Sequence, residues 1–161
     1  MTNEHILARV TSACGPMITG SSEFRGDLTL TVRTADIVPV CRFLRDDPEL
    51  SFEMLIDLLG VDMARAEGRF EVVYTLSSLK HPMILRLKVV VDQDHASVPT
   101  VTGVWKAADW HERETFDMFG VRFEGHPDLR RMYMPEEYEY FPLRKDFPLM
   151  GIPDSIPLPR N

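Results

Sequence analysis

FEVVYTLSSLKHPMILRLKVVV, residues 70–91, is the stretch of sequence that decides the fold of this chain. Its two ends, residues 70–75 and 84–91, are rich in the β-branched and aromatic side chains that strands favour. The segment between them, residues 77–82, is short and ends in a proline. This pattern predicts two strands joined as an antiparallel hairpin.

The residues before this hairpin predict a further strand and two helices. Residues 27–33 alternate Leu28, Leu30 and Val32 with polar side chains, which is typical of a half-buried strand. Helices are predicted over residues 4–13, with Asn3 as the N-cap, and over residues 34–44. Pro39 fits the second helix only in its first turn, where its missing N–H costs nothing. Residues 52–59 are compatible with more than one assignment, and residues 60–62 are predicted to form a turn.

The residues after the hairpin predict a loop and then a helical region. The polar stretch at residues 92–96 is predicted to be a loop, and residues 101–119 a helical region in two pieces. Asp109 and Glu112 have the spacing of a capping box, in which two side chains bond the first free N–H groups of a helix. Gly120 stands where the end of a helix favours a positive φ.

A change of composition after Gly120 divides the chain. Seven of the 12 prolines fall after residue 126, and they are interleaved with aromatic and aliphatic residues that a disordered tail would lack. We therefore expect an α+β fold, with helices packed on a mainly antiparallel sheet, over residues 1–120. An extended, Pro-rich C-terminal arm that docks on a partner subunit is expected over residues 121–161.

The composition excludes several classes of function. With 161 residues, of which 44% are hydrophobic and 27% charged, the chain has the composition of one soluble globular domain. Its net charge of −7 argues against binding to a nucleic acid. The first residues do not resemble a secretory signal, and no apolar run is long enough for a membrane helix.

No local motif predicts a cofactor, a metal site or a catalytic group. Cys14 and Cys41 are lone cysteines, which excludes a four-thiolate cluster in this chain, and no phosphate-binding glycine loop is present. Residues 111–115 resemble a zinc-protease helix, but Thr115 replaces the second histidine. Glu112 and Glu114 are a poor acid/base pair, because helix residues two apart point to different sides.

Two charged groups have simpler interpretations. Arg113 and Asp117 are spaced for an i,i+4 ion pair on the helix surface. Arg144-Lys145-Asp146, between two prolines, is either a solvated charge cluster or a partner contact. The high share of arginine among the basic residues favours the partner contact, because arginine suits partly desolvated ion pairs.

Three segments together resemble a known family. They are ERETFDMFG at residues 112–120, HPDLRRM at 126–132 and PLRKDFP at 142–148. In their spacing they resemble the 30-kDa subunit family of proton-pumping NADH:quinone oxidoreductase, respiratory complex I. Related membrane-bound [NiFe]-hydrogenase complexes carry the same module. The resemblance weakens upstream but extends back to residue 28.

The resemblance implies a structural subunit without a cofactor of its own. Members of the family sit in the hydrophilic arm against the large (49-kDa-type) subunit of the quinone site, with neighbouring hydrophilic-arm subunits nearby. They are held at the cytoplasmic side of the inner membrane through the complex, with no membrane span. The implied interface residues are Glu112, Arg113, Glu114, Asp117, His126, Arg130, Arg131, Pro142, Leu143, Arg144, Lys145, Asp146 and Phe147.

Two alternatives stay open at this point. One is the equivalent subunit of a membrane-bound [NiFe]-hydrogenase or of a ferredoxin-fed complex, which the subunits encoded alongside it would distinguish. The other is a stand-alone enzyme that uses Glu112, Glu114 or His126. The main interpretation predicts that removing residues 126–161 leaves a folded domain that no longer joins its complex.

Overall fold

A five-stranded sheet with three helices forms the body of the molecule. The structure, a computed structural model, describes residues 1–152. The helices are α1 (Asn3–Cys14), α2 (Ile37–Asp46) and α3 (Ala108–Phe119). The strands are β1 (Ile18–Phe24), β2 (Asp27–Val32), β3 (Met54–Asp62), β4 (Phe70–Ser78), β5 (Met83–Val91), β6 (Ser97–Pro99) and β7 (Arg122–Glu124). Within residues 1–152, no helix is both long and apolar enough to cross a membrane.

The sheet is mixed but mostly antiparallel. Its strand order is β1-β2-β5-β4-β3, with β2 and β5 parallel and the other neighbours antiparallel. Strands β6 and β7 form a separate parallel pair. The expected α+β class and the hairpin at residues 70–91 are both confirmed, since β4 and β5 pair in register from Phe70–Val91 to Ser78–Met83.

The core lies between one face of the sheet and the helices. Alternate residues of β4, including Phe70, Val72, Tyr74 and Leu76, are completely buried, whereas the residues between them are half-buried. Helices α1 and α2 add their own apolar sides, including Ile6 and Leu44, to the same cluster. Burying one such aliphatic or aromatic side chain stabilises the fold by about 1.5–3 kcal/mol. The buried residues of the β4–β5 hairpin therefore contribute a large share of this stabilisation.

Several local predictions need correction. The N-cap of α1 is Thr2, whose hydroxyl oxygen accepts from the N–H of His5, and not Asn3. Residues 60–62 do not form a turn but end strand β3, which pairs with β4 as far as Asp62. Strand β1 was not predicted, because its residues 19–23 are short and polar.

The helical region predicted at residues 101–119 contains one helix only. Residues 101–107 are turns and a short irregular stretch, and α3 begins at Ala108. The capping box is wrong, because the N-cap is Ala107 without a side-chain bond and the Glu112 carboxylate points to Thr100 and Val101. Gly120 does end the helix with φ = 77°, as expected.

Beyond β7, the described residues form turns without a helix or strand. Pro153, Pro157 and Pro159, three of the late prolines, lie outside the described residues. Whether residues 121–161 act as an arm that docks on a partner stays a prediction.

Candidate interaction site

Asp117 of α3 fixes the path of the chain after β7. Its side chain is completely buried, and its Oδ2 accepts from three successive backbone N–H groups, of Met132, Tyr133 and Met134, at 3.0, 2.7 and 3.1 Å. Its Oδ1 accepts from Arg131 Nη1 at 2.8 Å. Burial alone would raise the pKa of Asp117, but these donors outweigh it and hold that pKa below its ordinary value. The Asp117 carboxylate therefore holds the bend of the chain at residues 131–134.

Arg131 extends the same anchor. Its guanidinium also donates to the carbonyl of Asp117 at 3.1 Å and to that of Tyr140 at 3.3 Å. It lies over the rings of Tyr138 and Phe141, at 5.8 and 5.0 Å from their centroids. The Arg131 guanidinium thus joins α3 to Tyr138 and to residues 140–141 by charge-assisted bonds and cation–π contacts. Residues 125–152, to which these belong, are called the C-terminal segment below.

Asp62, at the end of β3, forms a second anchor. Its carboxylate accepts from Arg69 through both oxygens, at 3.1 and 2.8 Å, and from the backbone N–H of Lys145 at 2.8 Å. Arg69 also pairs with Asp146 at 2.9 Å. Burial opposes ionisation of Asp62, but the Arg69 guanidinium and the backbone donors outweigh it and lower the pKa of Asp62 to about 2.

Arg144 fastens this part of the segment to the end of α3. Its Nε donates to the carbonyl of Phe119 at 2.7 Å, and its guanidinium stacks on Phe141 at 4.3 Å and on Phe70 at 5.1 Å. The N–H of Leu143 donates to the carbonyl of Met118 at 3.2 Å. The bonds satisfy carbonyls that the last turn of a helix leaves free, so the segment also caps α3.

Glu112 and His126 form a buried pair of titratable groups. Both side chains have no exposed surface, and Glu112 Oε2 lies 3.9 Å from His126 Nε2. Glu112 accepts from the hydroxyl of Thr100 and from the N–H of Val101, at 2.5 and 2.7 Å. Burial outweighs these bonds and raises the pKa of Glu112 to about 7.

The ring of His126 is held by two opposite contacts. Its Nδ1 accepts from the N–H of Asp128 at 3.0 Å, whereas Nε2 lies 3.1 Å from both the carbonyl and the Oδ1 of Asp109. Because the Asp128 N–H donates to Nδ1, Nε2 is the ring nitrogen left to donate to Asp109. The histidine therefore ties the segment after β7 to the first turn of α3.

Arg113 does not form the predicted surface ion pair with Asp117. Its guanidinium donates to the backbone carbonyls of Arg130 and Arg131 and lies over the ring of Trp110, 5.0 Å from the centroid. Asp117 is occupied by donors 14 to 17 residues later in the chain. Asp117 therefore bonds residues 131–134 and not Arg113, because these residues offer several donors at once.

The other residues of the implied interface lie on the surface or at its margin. Glu114, Arg130, Leu143, Lys145 and Asp146 are exposed, whereas Pro142 and Phe147 are half-buried. Around them the structure exposes a set of large apolar side chains: Trp110, Tyr133, Tyr140, Leu143, Leu149 and Met150. The C-terminal segment is therefore anchored on its inner side and exposes large apolar side chains together with charged ones on its outer side.

Sequence reasoning did not identify Asp62 and Arg69 as site residues. The pairing of β3 with β4 places Asp62 beside Arg69, and the later return of the chain brings Lys145 to Asp62 and Asp146 to Arg69. No short-range spacing carries that information. The sequence does contain an acidic residue, Asp62, at the end of a strand. Because residues 60–62 are predicted to form a turn, this position is not recognised as the end of a strand.

The sequence matches one family model over most of its length. The model described as the respiratory-chain NADH dehydrogenase, 30 Kd subunit, matches residues 30–153. The chain is 54% identical over 149 residues to the NADH-quinone oxidoreductase C subunit of Roseiflexus sp. (strain RS-1), covering 92% of this chain and 86% of that relative. It is 47% identical over 150 residues to the C 2 subunit of the same enzyme from Rhizobium meliloti (strain 1021), covering 93% and 82%.

Two solved structures share the fold. The trypsin-resistant fragment (1–134) of Nqo5 superposes with a TM-score of 0.66 at 31% identity, over 80% of this chain and 100% of the fragment. A chain of the membrane-bound sulfane sulfur reductase, an archaeal respiratory membrane complex, superposes with a TM-score of 0.75 at 26% identity, over 91% and 86%. The family match begins within β2 and extends past β7 into the residues that follow it.

Proposed function

We propose that this chain is a structural subunit of the hydrophilic arm of proton-pumping NADH:quinone oxidoreductase. The premise is that the chain belongs to the 30-kDa subunit family of the respiratory-chain NADH dehydrogenase. In this proposal the C-terminal segment contacts the large, 49-kDa-type subunit of the quinone site. One observation supports this contact above others: the segment is pinned to the domain at Asp117 and Asp62 and turns apolar side chains outward.

The anchoring explains how an irregular segment serves as a binding surface. A loose chain loses conformational freedom when it binds, and that loss weakens the complex. Residues 131–134 are already fixed by the buried carboxylate of Asp117. Lys145 is held by the carboxylate of Asp62, and Asp146 pairs with Arg69. Tyr133, which is 60% exposed, is therefore held ready to pack against a partner.

The structure narrows which of the implied interface residues are free to meet a partner. Glu112, Asp117 and His126 have buried side chains and act within the chain. Arg144 is engaged by Phe119 and Phe141. We therefore assign the contact with the large subunit to the exposed residues of the segment, among them Arg130, Lys145 and the outer apolar side chains.

We further propose that the chain holds no cofactor and is attached to the cytoplasmic side of the inner membrane through its partners. Among residues 1–152, no three His, Cys, Asp or Glu side chains are grouped to bind a metal ion. Cys41 is completely buried, and burial raises the pKa of its thiol. Metal analysis and a visible absorption spectrum of the purified chain test this part of the proposal.

The partner contact is tested by changing the outer side chains only. We expect the double variant Tyr133→Asp with Leu149→Asp to remain folded but to co-purify with the large subunit about tenfold less, because two charges would be buried at the interface. Phe24→Asp is the matched control, since Phe24 is 71% exposed on the β1–β2 hairpin, away from the segment. Equal recovery of both variants in the isolated complex would contradict the proposal.

A related respiratory complex is the second candidate, favoured by the likeness to the sulfane sulfur reductase chain. The co-purifying subunits decide between the two: an NADH-binding flavoprotein indicates complex I, and a large subunit with nickel-ligating cysteines indicates a hydrogenase. A stand-alone enzyme that uses Glu112, Glu114 or His126 is the weaker alternative. The side chains of Glu112 and His126 are completely buried from any substrate, which leaves Glu114 as the one exposed group of the three.

A further inference from the structure

The outer edge of β3 has free backbone groups. Among the strands of residues 1–152, β3 is the last of the sheet and pairs with β4 alone. Just beyond it, Met63 N donates to Arg69 O at 2.8 Å. Because antiparallel pairing alternates, Leu59 and Val61 face β4, and Leu58 and Gly60 turn their N–H and C=O groups outward. Within residues 1–152, no other group bonds these outward groups.

A groove runs along this edge. It has a volume of about 270 Å³ and lies between β3 and helix α3. Gly60 forms part of its floor, and a Cβ at this position would come within 2.7 Å of Phe119, so α3 overhangs the edge closely. Its lining includes the apolar Met118, Phe119 and Leu143 and the carboxylates of Asp57 and Glu114. Asp57 Oδ1 also lies 3.4 Å from His111 Nδ1.

The two edges of the sheet differ in character. At the opposite edge, the exposed residues of β1 before Phe24 are polar or small, as expected for an edge that avoids association. On and just after β3, the exposed residues include Met54, Ile56, Leu59 and Met63. An apolar, nine-residue edge with unpaired backbone groups is unusual unless something covers it.

We propose that the β3 edge binds an extended segment of a partner subunit as a sixth strand of the sheet. The segment would bond the outward groups of Leu58 and Gly60, place alternate apolar side chains in the groove, and present Lys or Arg side chains to Asp57 and Glu114. This is strand addition, in which the backbone gives affinity and the side chains give specificity. The inference rests on the proposed function, because it requires a partner in the assembled complex.

Other occupants fit the edge less well. Pockets that enclose a small molecule usually measure ~300–1,000 Å³, so this groove is small for that purpose. A second copy of the chain, added edge to edge, would bring the carboxylates of Asp57 and Glu114 from both copies to one seam, where like charges repel. A basic, extended peptide satisfies the bonds, the apolar lining and the two carboxylates together.

Hydrogen exchange on the isolated complex tests the backbone contact directly. In the free chain we expect the amides of Leu58 and Gly60 to exchange faster than those of Leu59 and Val61, which bond to β4. In the complex, the first two should slow by about 100-fold or more, whereas the other two change little. Unchanged exchange at Leu58 and Gly60 in the complex would overturn the proposal. Protection in a dimer of the free chain would overturn it as well.

Charge reversal tests the chemistry of the occupant. We expect Asp57→Lys with Glu114→Lys to lower recovery of the chain in the complex about tenfold without unfolding it. Glu4→Lys with Glu23→Lys is the matched control, since it makes the same change of charge at exposed positions elsewhere.

The two sets of variants distinguish a failure of strand addition from a failure of the proposed function. Normal assembly of the groove variant, with loss of the variant carrying Tyr133→Asp and Leu149→Asp, would overturn strand addition and leave the proposed function standing. Failure of the unmodified chain to co-purify with any respiratory subunit would overturn the proposed function and the strand addition that rests on it.

Discussion

Asp117 is the residue on which the C-terminal segment depends most. It has no exposed surface, and its four donors come from residues 131–134. We expect Asp117→Asn to lower the free energy of unfolding by about 3 kcal/mol, because an amide turns an N–H₂ group toward donors and leaves Arg131 without its counter-charge. Urea unfolding measures the loss, and faster amide exchange at residues 132–134 would locate it.

Asp128→Asn is the control for this change. Asp128 pairs with Arg130, but both side chains are more than half exposed. Exposed pairs contribute little, so we expect an effect below about 0.5 kcal/mol. Similar losses in the two variants would show that Asp117 has no special role.

Glu112 makes stability depend on pH in the neutral range. Its pKa is raised from 4.5 to about 7, chiefly by burial, so the folded state holds its proton more strongly than the unfolded state. The contribution to stability is therefore complete below pH 4.5 and is lost as the pH rises through 7. The charged or titratable groups around Glu112 are Asp109, His126, Tyr74 and Cys41, and none of them is a permanent cation.

The variant Glu112→Gln should remove this dependence. We expect the free energy of unfolding of the unmodified chain to fall relative to that of the variant by up to about 3 kcal/mol between about pH 5 and pH 8. Urea titrations at several pH values measure the difference. Parallel curves for the two proteins would mean that Glu112 stays ionised throughout this range.

The same residues show how far the sequence predicts the site. The spacing of the three segments indicated the family and drew attention to Asp117, His126 and Arg144. It could not indicate their partners, because Asp117 and Arg113 have the right spacing to bond each other and yet bond residues 130–134 instead. Local spacing predicts which pairs are possible, and the return of the chain decides which form.

Gly120 lies at the end of α3, where Arg144 and Phe141 of the C-terminal segment pack against it. Its φ is 77°, and an added Cβ would lie 2.5 Å from Arg144 Nη2 and 2.7 Å from the ring of Phe141. We expect Gly120→Ala to destabilise the fold by about 2–4 kcal/mol, from backbone strain together with displacement of Arg144. Thermal unfolding measures the total effect.

Gly26→Ala separates the two contributions. Gly26 also has a positive φ, 89°, but an added Cβ meets nothing within 4 Å. This variant should show the strain alone, about 1 kcal/mol. If both alanines cost the same, close contact with Arg144 and Phe141 contributes nothing at Gly120.

Strands were predictable where alternation or hydrophobic content was strong. The hairpin of β4 and β5 and strand β2 have that signal, and all three appear close to the predicted bounds. Strand β3 was missed at its end because Gly60-Val61-Asp62 resembles a turn, although Gly60 is needed there for the close approach of Phe119. Strand β1 was missed because an exposed edge strand needs few apolar residues.

In the whole molecule, the residues after 120 are not separate from the domain before them. The C-terminal segment bonds to α3 through Asp117 and to β3 through Asp62, so its residues 126–147 complete the domain as well as extend from it. A deletion that removes these residues would leave the buried Asp117 carboxylate without its donors and would remove the Lys145 N–H from Asp62, which keeps Ala64 N–H and Arg69. Losing these donors costs free energy. These bonds argue against the expectation that a chain without residues 126–161 stays fully folded.

Two truncated chains test this view of the molecule. A chain that ends at residue 152 keeps the bonds to both carboxylates, whereas a chain that ends at residue 125 loses the donors to Asp117 and the Lys145 N–H to Asp62. Because we expect a loss of about 3 kcal/mol from the broken bonds of Asp117 alone, the shorter chain should melt about 10 °C lower or fail to fold. Calorimetry on both chains measures the difference. Equal melting temperatures would instead make the segment a separable arm, held to the domain by contacts that add no stability.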